Sequence, residues 1–191
     1  IYRRFLIWSR KGILMRLFKS LSTDKDTEWI FIDGSYVKAH QHSTGAASAQ
    51  PQAIGLSRGG NTSKIHLAVD SYGLPIEFII TGGEVHDSKV ANELIDLLPQ
   101  ADVIIADKGY DSEPIREKVR ECSAIPVIPR KKNSKTGNVD IDWCLYKYRH
   151  LVENAFARLK HFRAIATRYE KLKMNFESIL ALACSMIWLP M

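Results

Sequence analysis

The 191-residue chain lacks any stretch of 18 or more uncharged apolar residues, which excludes a membrane-spanning helix on length alone. The apolar run "ILALACSMIWL" near its end is too short to span and reads as a buried helix. Cysteine is scarce: Cys122, Cys144 and Cys184 stand apart, with no CxxC pair. That excludes a paired-cysteine metal or redox motif and points to reduced thiols in a cytoplasm. Acid is missing from the first 20 residues, which hold six Lys/Arg. The opening "IYRRFLIWSRKGILMRLF" breaks its apolar run at Arg10 and Lys11 and shows no cleavage site, against a signal peptide. An initiating methionine is also missing. Ile1 comes first and the first Met is Met15, so a fragment or the downstream part of a longer reading frame is expected. Internal repeats and low-complexity tracts are absent.

What is present is an ordinary globular mixture, 46% hydrophobic and 25% charged, long enough for one sizeable core. The net charge of +6 is unevenly placed. Residues 129–173 hold 12 Lys/Arg and 4 Asp/Glu, a net of +8, so the remainder nets −2. Two basic blocks around a mildly acidic middle suit a polyanion, with nucleic acid foremost, although a merely soluble basic surface has the same composition.

The apolar pattern predicts a sequence of elements. Residues 1–20 read as an amphipathic helix. "WIFID" reads as a short buried strand ending in Asp33, and residues 34–63, rich in Gly, Ala, Ser and Gln, as a long loop or hairpin extension. "SKIHLAVD" and "LPIEFIITG" form a hairpin turning at Gly73. Asp87 or Ser88 caps a helix through "KVANELIDLL". "DVIIAD" is a second buried strand ending in an acid, Asp107. Ser112 opens a helix through "SEPIREKVREC", with Pro114 in its first turn. "AIPVIP" is a short strand and "RKKNSKTGN" a basic loop. A long helix runs from about Asp142 to Glu170, and a last one from about Asn175 to Leu189. Three strands in a meander followed by βαβ crossovers give an α/β mixed sheet with helices on both faces.

Three acids stand out by position. Asp33 and Asp107 follow buried strands, where open α/β sheets gather reactive groups. Glu153 lies in "YKYRHLVENAFARLK", which on a helix shows three faces instead of two. At about 100° per residue, Tyr146, Arg149, Glu153 and Lys160 share an arc of roughly 60°. Leu151, Val152, Ala155, Leu159, Phe162 and Ala166 make the core face. Lys147, His150, Asn154, Arg158 and His161 make a solvated one. Three converging carboxylates would form an all-oxygen cluster of the kind hard divalent cations require, and cations beside Glu153 would hold phosphates. Each element also has a plainer reading. "DG" and "DKG" are turn signals, and Arg149 with Glu153 is an ordinary i,i+4 helix pair.

The spacing Y-x2-R-x3-E-x6-K, filled by Tyr146, Arg149, Glu153 and Lys160, resembles the signature around the catalytic Glu of bacterial insertion-sequence transposases of the DDE class. "FIDGSYVKAH", "SRGGNTSKIHLAVD", "GGEVHDS" and "ADKGYDS" resemble successive blocks of the same catalytic domain. Between the two Asp lie 73 residues, and between Asp107 and Glu153 lie 45. The resemblance spans roughly residues 29–170 and implies an RNase H-like fold. It implies that Asp33, Asp107 and Glu153 bind Mg²⁺, two ions in all, with Mn²⁺ able to substitute. It also implies cleavage of DNA at the element's ends and 3′-OH strand transfer into target DNA, each an in-line displacement without a covalent intermediate. The partners would be terminal inverted repeats, target DNA and further copies of the chain in an active oligomer, in a bacterial cytoplasm at the nucleoid. Tyr146, Arg149, Lys160, Arg130, Lys131 and Lys132 are the expected DNA contacts. Residues 1–22 are expected to be a basic remnant of an N-terminal region, 23–173 the catalytic domain and 174–191 its packing helix. Only 32 residues precede Asp33, fewer than a helix-turn-helix unit with its linker.

Other readings stay open. A nuclease of the same fold would hydrolyse without strand transfer, and an inactive remnant would only bind DNA. A glycosidase with paired carboxylates leaves the basic blocks unexplained. His86 and Asp87 read as a polar strand end and helix cap that could sit near the site. Lys64 and His66 alternate on one strand and could meet phosphate. His40 and His42 have metal-ligand spacing but no third ligand nearby. Trp143 and the aromatics near it read as core.

Overall fold

The computed structural model describes residues 2–45, 50–134 and 136–189. The strands are β1 (Trp29–Ala39), β2 (Gly55–Ser57), β3 (Gly60–Val69), β4 (Pro75–Gly82), β5 (Val103–Ala106), β6 (Ile125–Val127) and β7 (Thr167–Arg168). They form one seven-stranded sheet in the order β2-β3-β1-β5-β6, with β4 also on β3 and β7 on the end of β1. β1 runs antiparallel to β3 and parallel to β5, and β6 continues the parallel half. The helices are α1 (Tyr2–Arg10), α2 (Ile13–Leu21), α3 (Asp87–Asp96), α4 (Glu113–Glu121), α5 (Trp143–Tyr146), α6 (His150–Lys160), α7 (Arg163–Ala166) and α8 (Lys173–Trp188). This is the α/β mixed sheet with helices on both faces that the sequence predicted. Among the described residues no helix is long and apolar enough to cross a membrane.

Side-chain alternation along β1 builds two cores. Phe31 points into the one that holds Leu67, Phe78, Val152, Leu159, Phe176 and Leu180, beneath α2, α6 and α8. Ile30 and Ile32 point into the other, with Val90, Leu94, Ile115 and Val119 beneath α3 and α4. Leu14 and Phe18 of α2 are buried in the first core, so the basic N-terminal segment packs onto the same body as the sheet.

Several elements differ from the sequence expectation, each for a local reason. β1 does not end at Asp33. The residues from Phe31 to Lys38 pair with β3 without interruption, and Val37 and Ala39 continue the buried alternation. Residues 34–63 are therefore half of β1, a short turn at Gln41–Ser43 and the β2–β3 hairpin, while residues 46–49 lie outside the described residues. The helix expected over 1–20 is two, broken at Gly12, whose φ of 63° is left-handed. The helix expected from Asp142 to Glu170 is also broken. α5 passes through a single tight turn at Lys147–Arg149 into α6, which stops at Lys160 before an extended Phe162. Phe162 and Ala166, read as core-facing, are exposed because they lie past that stop. α3 is capped by His86 rather than by Asp87 or Ser88, the ring nitrogen accepting from the Ser88 amide. Ser112 stands at the cap position of α4 without a side-chain bond, with Pro114 in the first turn.

One buried cation ties the edge of this body together. Arg168, fully buried, donates to the carbonyls of Gln52, Ala53, Glu170 and Lys171 and to Ser63 Oγ. It also lies 4.8 Å from the centre of the Phe176 ring. Arg168→Met would leave those acceptors without a donor, each a buried group that is costly to strand. The unfolding free energy is expected to fall by about 3 kcal/mol, measured by urea denaturation. An unchanged midpoint would mean that water replaces the guanidinium.

Candidate active site

Asp33 stands in the middle of β1, and its neighbour on the parallel side is the segment that leads into Asp107. Ile32 pairs with Ala106, so each acid is the next residue after that rung. A backbone amide steadies each carboxylate. The Gly34 N–H donates to Asp33 Oδ1 at 2.8 Å, and the Gly109 N–H donates to Asp107 Oδ1 at 2.7 Å. The second bond caps the tight turn Lys108–Tyr110, which is why "DKG" reads as a turn and also fixes an acid. Burial holds the Asp33 carboxyl above the usual range, against the pull of the Gly34 amide and the Arg149 guanidinium.

α6 lays the third acid across this strand. Arg149 is its pivot. Nη1 donates to Asp33 Oδ2 at 2.8 Å, and Nη2 donates to Glu153. The ordinary i,i+4 pair is thus present, and the same guanidinium also spans 116 residues of sequence to the central strand. Burial works against its charge, yet Asp33 and Glu153 hold its ionisation above the usual value. Tyr146 lies alongside, its ring centre 6.0 Å from the guanidinium carbon. Two turns on, Lys160 donates to Ser35 Oγ at 2.7 Å. Ser35 shares a face with Asp33, two residues apart. Tyr146, Arg149, Glu153 and Lys160 therefore form one stripe along β1, as the three-faced helix required.

Asp33 and Glu153 meet through a cation, Arg149, and Asp107 adjoins Asp33 on the next strand. Among the described residues no group of three His, Cys, Asp or Glu side chains is drawn close enough to hold a metal ion. The guanidinium occupies the space between two of the three acids. All of the candidate donors are carboxylate oxygens, the donor set that suits Mg²⁺ or Mn²⁺.

The basic loop divides. Arg130 donates to the Gly137 carbonyl and to Asp140 Oδ1, the latter at 2.5 Å, so an acid already occupies its charge. Lys131 and Lys132 are exposed, and Lys135 lies outside the described residues. The Lys131 amide donates to Asp111, which also takes a bond from the buried Arg116. The His40 ring stacks on Tyr169 and lies tilted against His42. Trp143, expected in the core, is half exposed and meets Tyr146 edge-on.

A polar cluster that the sequence reading did not assemble lies on the opposite face of β1, under Gly34. Lys64 Nζ meets Asp87 Oδ2 at 2.5 Å, and His66 Nδ1 lies 3.2 Å from Asp87 Oδ1. His66 Nε2 contacts Thr81 Oγ1. Lys64 and His66 are almost fully buried, with 4% and 1% of their surface exposed. Instead of meeting phosphate, as the strand alternation suggests, they face inward to Asp87. Burial opposes ionisation of Asp87, but His66 and Lys64 overcome it and hold its pKa at about 2. The signal available in the sequence was a glycine in a strand opposite two charged residues of alternating register.

The family model described as "Transposase DDE domain" matches residues 24–188. A Brucella ovis protein named as a transposase for insertion sequence element IS6501 is 38% identical over 132 residues, which cover 67% of this chain and 98% of the relative. A Burkholderia cepacia protein named as a transposase for IS402 is 33% identical over 136 residues, covering 65% of this chain and 62% of the relative. A Neisseria meningitidis transposase for IS1106 is 28% identical over 169 residues, covering 85% of this chain and 51% of the relative. The chain thus spans nearly all of the first relative and between half and two thirds of the other two.

Gly34 is where the two faces of the site meet. A Cβ there would stand 2.2 Å from Asp87 Oδ1 and 2.9 Å from Lys64 Cε. Gly34→Ala forces the buried ion pair to move, and the expected loss of stability is about 1–3 kcal/mol, read by urea denaturation. Unchanged stability would show that the pair yields freely.

Proposed function

The chain belongs to the DDE transposase family of bacterial insertion sequences, and from that membership we propose that it cleaves DNA at the ends of its element and joins the freed 3′-OH to target DNA in a divalent-metal-dependent reaction. Asp33, Asp107 and Glu153 would hold the metal. The observation that carries this reading is the Arg149 bridge. Two of the three acids, far apart in sequence, already share one cation across the central strand, so the site is built to accept positive charge there. With Mg²⁺ or Mn²⁺ held at these carboxylates, the site would gain charge neutralisation for an in-line phosphoryl transfer.

The chain's own side chains supply the rest. Arg149 can offer a planar, bidentate donor pair to a DNA phosphate when its acids are otherwise satisfied. Lys160, held beside Ser35, is a second phosphate contact farther along β1. Tyr146 flanks the guanidinium, and exposed Lys131 and Lys132 extend the basic track. Phosphate contacts of this kind position a duplex but do not read its sequence. The partners proposed are the element's terminal inverted repeats, the target duplex and further copies of the chain, acting at the nucleoid. The catalytic body would run from residue 23 to 173, with 174–191 as its packing helix.

Two tests bear on the chemistry and on the contact surface. Asp107→Asn is expected to abolish Mg²⁺-dependent cleavage of element-end duplex while the circular dichroism spectrum stays unchanged. Retained cleavage sinks the metal-site assignment. A substrate supplied with a free 3′-OH separates strand transfer from simple hydrolysis, since a nuclease would give no joined product. Lys160→Ala is expected to weaken duplex binding and to reduce the slope of log affinity against log salt by about one unit, one phosphate contact being lost. An unchanged slope would make Lys160 a surface charge bound to Ser35 and nothing more.

A further inference from the structure

The cluster beneath Gly34 is more than a satisfied ion pair. Asp87 opens α3, and an acid in the first turn of a helix is ordinary. Its carboxylate, however, points inward. It fills the gap left by the missing side chain of Gly34, the residue whose amide holds Asp33. Nearby is Tyr110, on the turn that Asp107 caps. Tyr110 is 1% exposed. Its hydroxyl, Asp87 Oδ1 and His66 Nδ1 are buried atoms without a hydrogen-bond partner among the described residues. Burial first, and Asp87 next, push the Tyr110 hydroxyl well above its usual ionisation range. Asp87 thus stands directly behind Gly34, and the Tyr110 side chain packs into the same core as Val90 and Ala91 of the helix that Asp87 opens.

We propose that Asp87 is a positioning residue that sets the separation of Asp33 and Asp107 from the rear face of the sheet, through Gly34 on one side and the Tyr110 hydroxyl on the other. Lys64 and His66 serve it by fixing its carboxylate, and the Lys64 ammonium neutralises charge that would otherwise sit buried beside Asp33. This rests on the metal-site reading above only in what the positioning is for. The linkage of the two acids through Asp87 is argued from its approach to Gly34 and from the packing of Tyr110 against α3. A purely structural Asp87 would matter to stability alone. A positioning Asp87 also alters the local environment of both acids in the folded chain.

The Gly34 and Gly109 amides report on this, because each donates to one of the two carboxylates. In amide NMR spectra of the metal-free chain, Asp87→Asn is expected to shift both resonances. Tyr110→Phe, which keeps the ring and removes only the hydroxyl, is expected to shift Gly109 and to leave Gly34 in place. Titration with Mn²⁺, followed by the electron paramagnetic resonance of the free ion, is expected to show about tenfold weaker binding or worse for Asp87→Asn, the usual effect of losing a residue that orients a metal ligand. Should Asp87→Asn fail to fold, Tyr110→Phe decides alone. An unmoved Gly109 amide in Tyr110→Phe overturns the proposal. So does unweakened Mn²⁺ binding by a folded Asp87→Asn chain. If the unsubstituted chain binds no Mn²⁺, the metal reading falls, and the two amides alone decide the role of Asp87.

Discussion

A half-buried carboxylate in the central strand of a sheet is tolerable only with a counter-charge close by, and Arg149 supplies it to Asp33. Most of the site's architecture follows from that one contact. To reach Asp33, Arg149 must enter from a helix lying across β1, which fixes where α6 sits. Once α6 is there, Glu153 one turn on and Lys160 two turns beyond it are carried along the same strand. Glu153 closes the bridge and Lys160 meets Ser35. The apolar side of α6, with Val152, Ala155 and Leu159, is then buried in the core beneath it. Charge and packing specify the same orientation, which is the agreement between levels expected of a sequence with one stable fold.

Much of this was legible in the sequence. Apolar runs marked most of the strands, and a meander passing into crossovers marked a mixed sheet. The helix with three faces announced that one face had a task besides packing and solvation. What escaped was what depends on pairing rather than pattern. The passage of β1 through Asp33 and on to Ala39 is imposed by β3, and "DGS" alone looks like a turn. The breaks after Arg10 and Lys160 are single-residue events, Gly12 in one case and an extended Phe162 in the other, inside stretches whose helical period continues. His86 was overlooked as a cap because imidazole is a less usual capping group than the Asp and Ser that follow it.

The rear cluster was invisible for a different reason. Lys64 and His66 look like exposed polar positions of a half-solvated strand, and Asp87 looks like a helix-start residue. Only the vacancy at Gly34, between paired strands, turns three unremarkable residues into one buried group. Neither β3 nor α3 reveals this alone. The Arg130–Asp140 pair teaches the same caution about basic stretches, because a cation in a basic loop can be occupied by its own chain.

The alternation of Asp33 toward α6 and Gly34 toward Asp87 has a consequence for how the sheet assembles. A strand that slips by one residue sends every side chain to the opposite face. In β1 a slip that carries Asp33 to the place of Gly34 would drive its carboxylate into the space that Asp87 already fills, and would set Ile32 where Arg149 expects an acid. Misalignment would meet steric overlap and like-charge repulsion behind the strand, and in front of it a guanidinium left with Glu153 alone. The charged pocket thus doubles as a proofreading device for strand alignment. The element that places the acids is checked by the acids themselves.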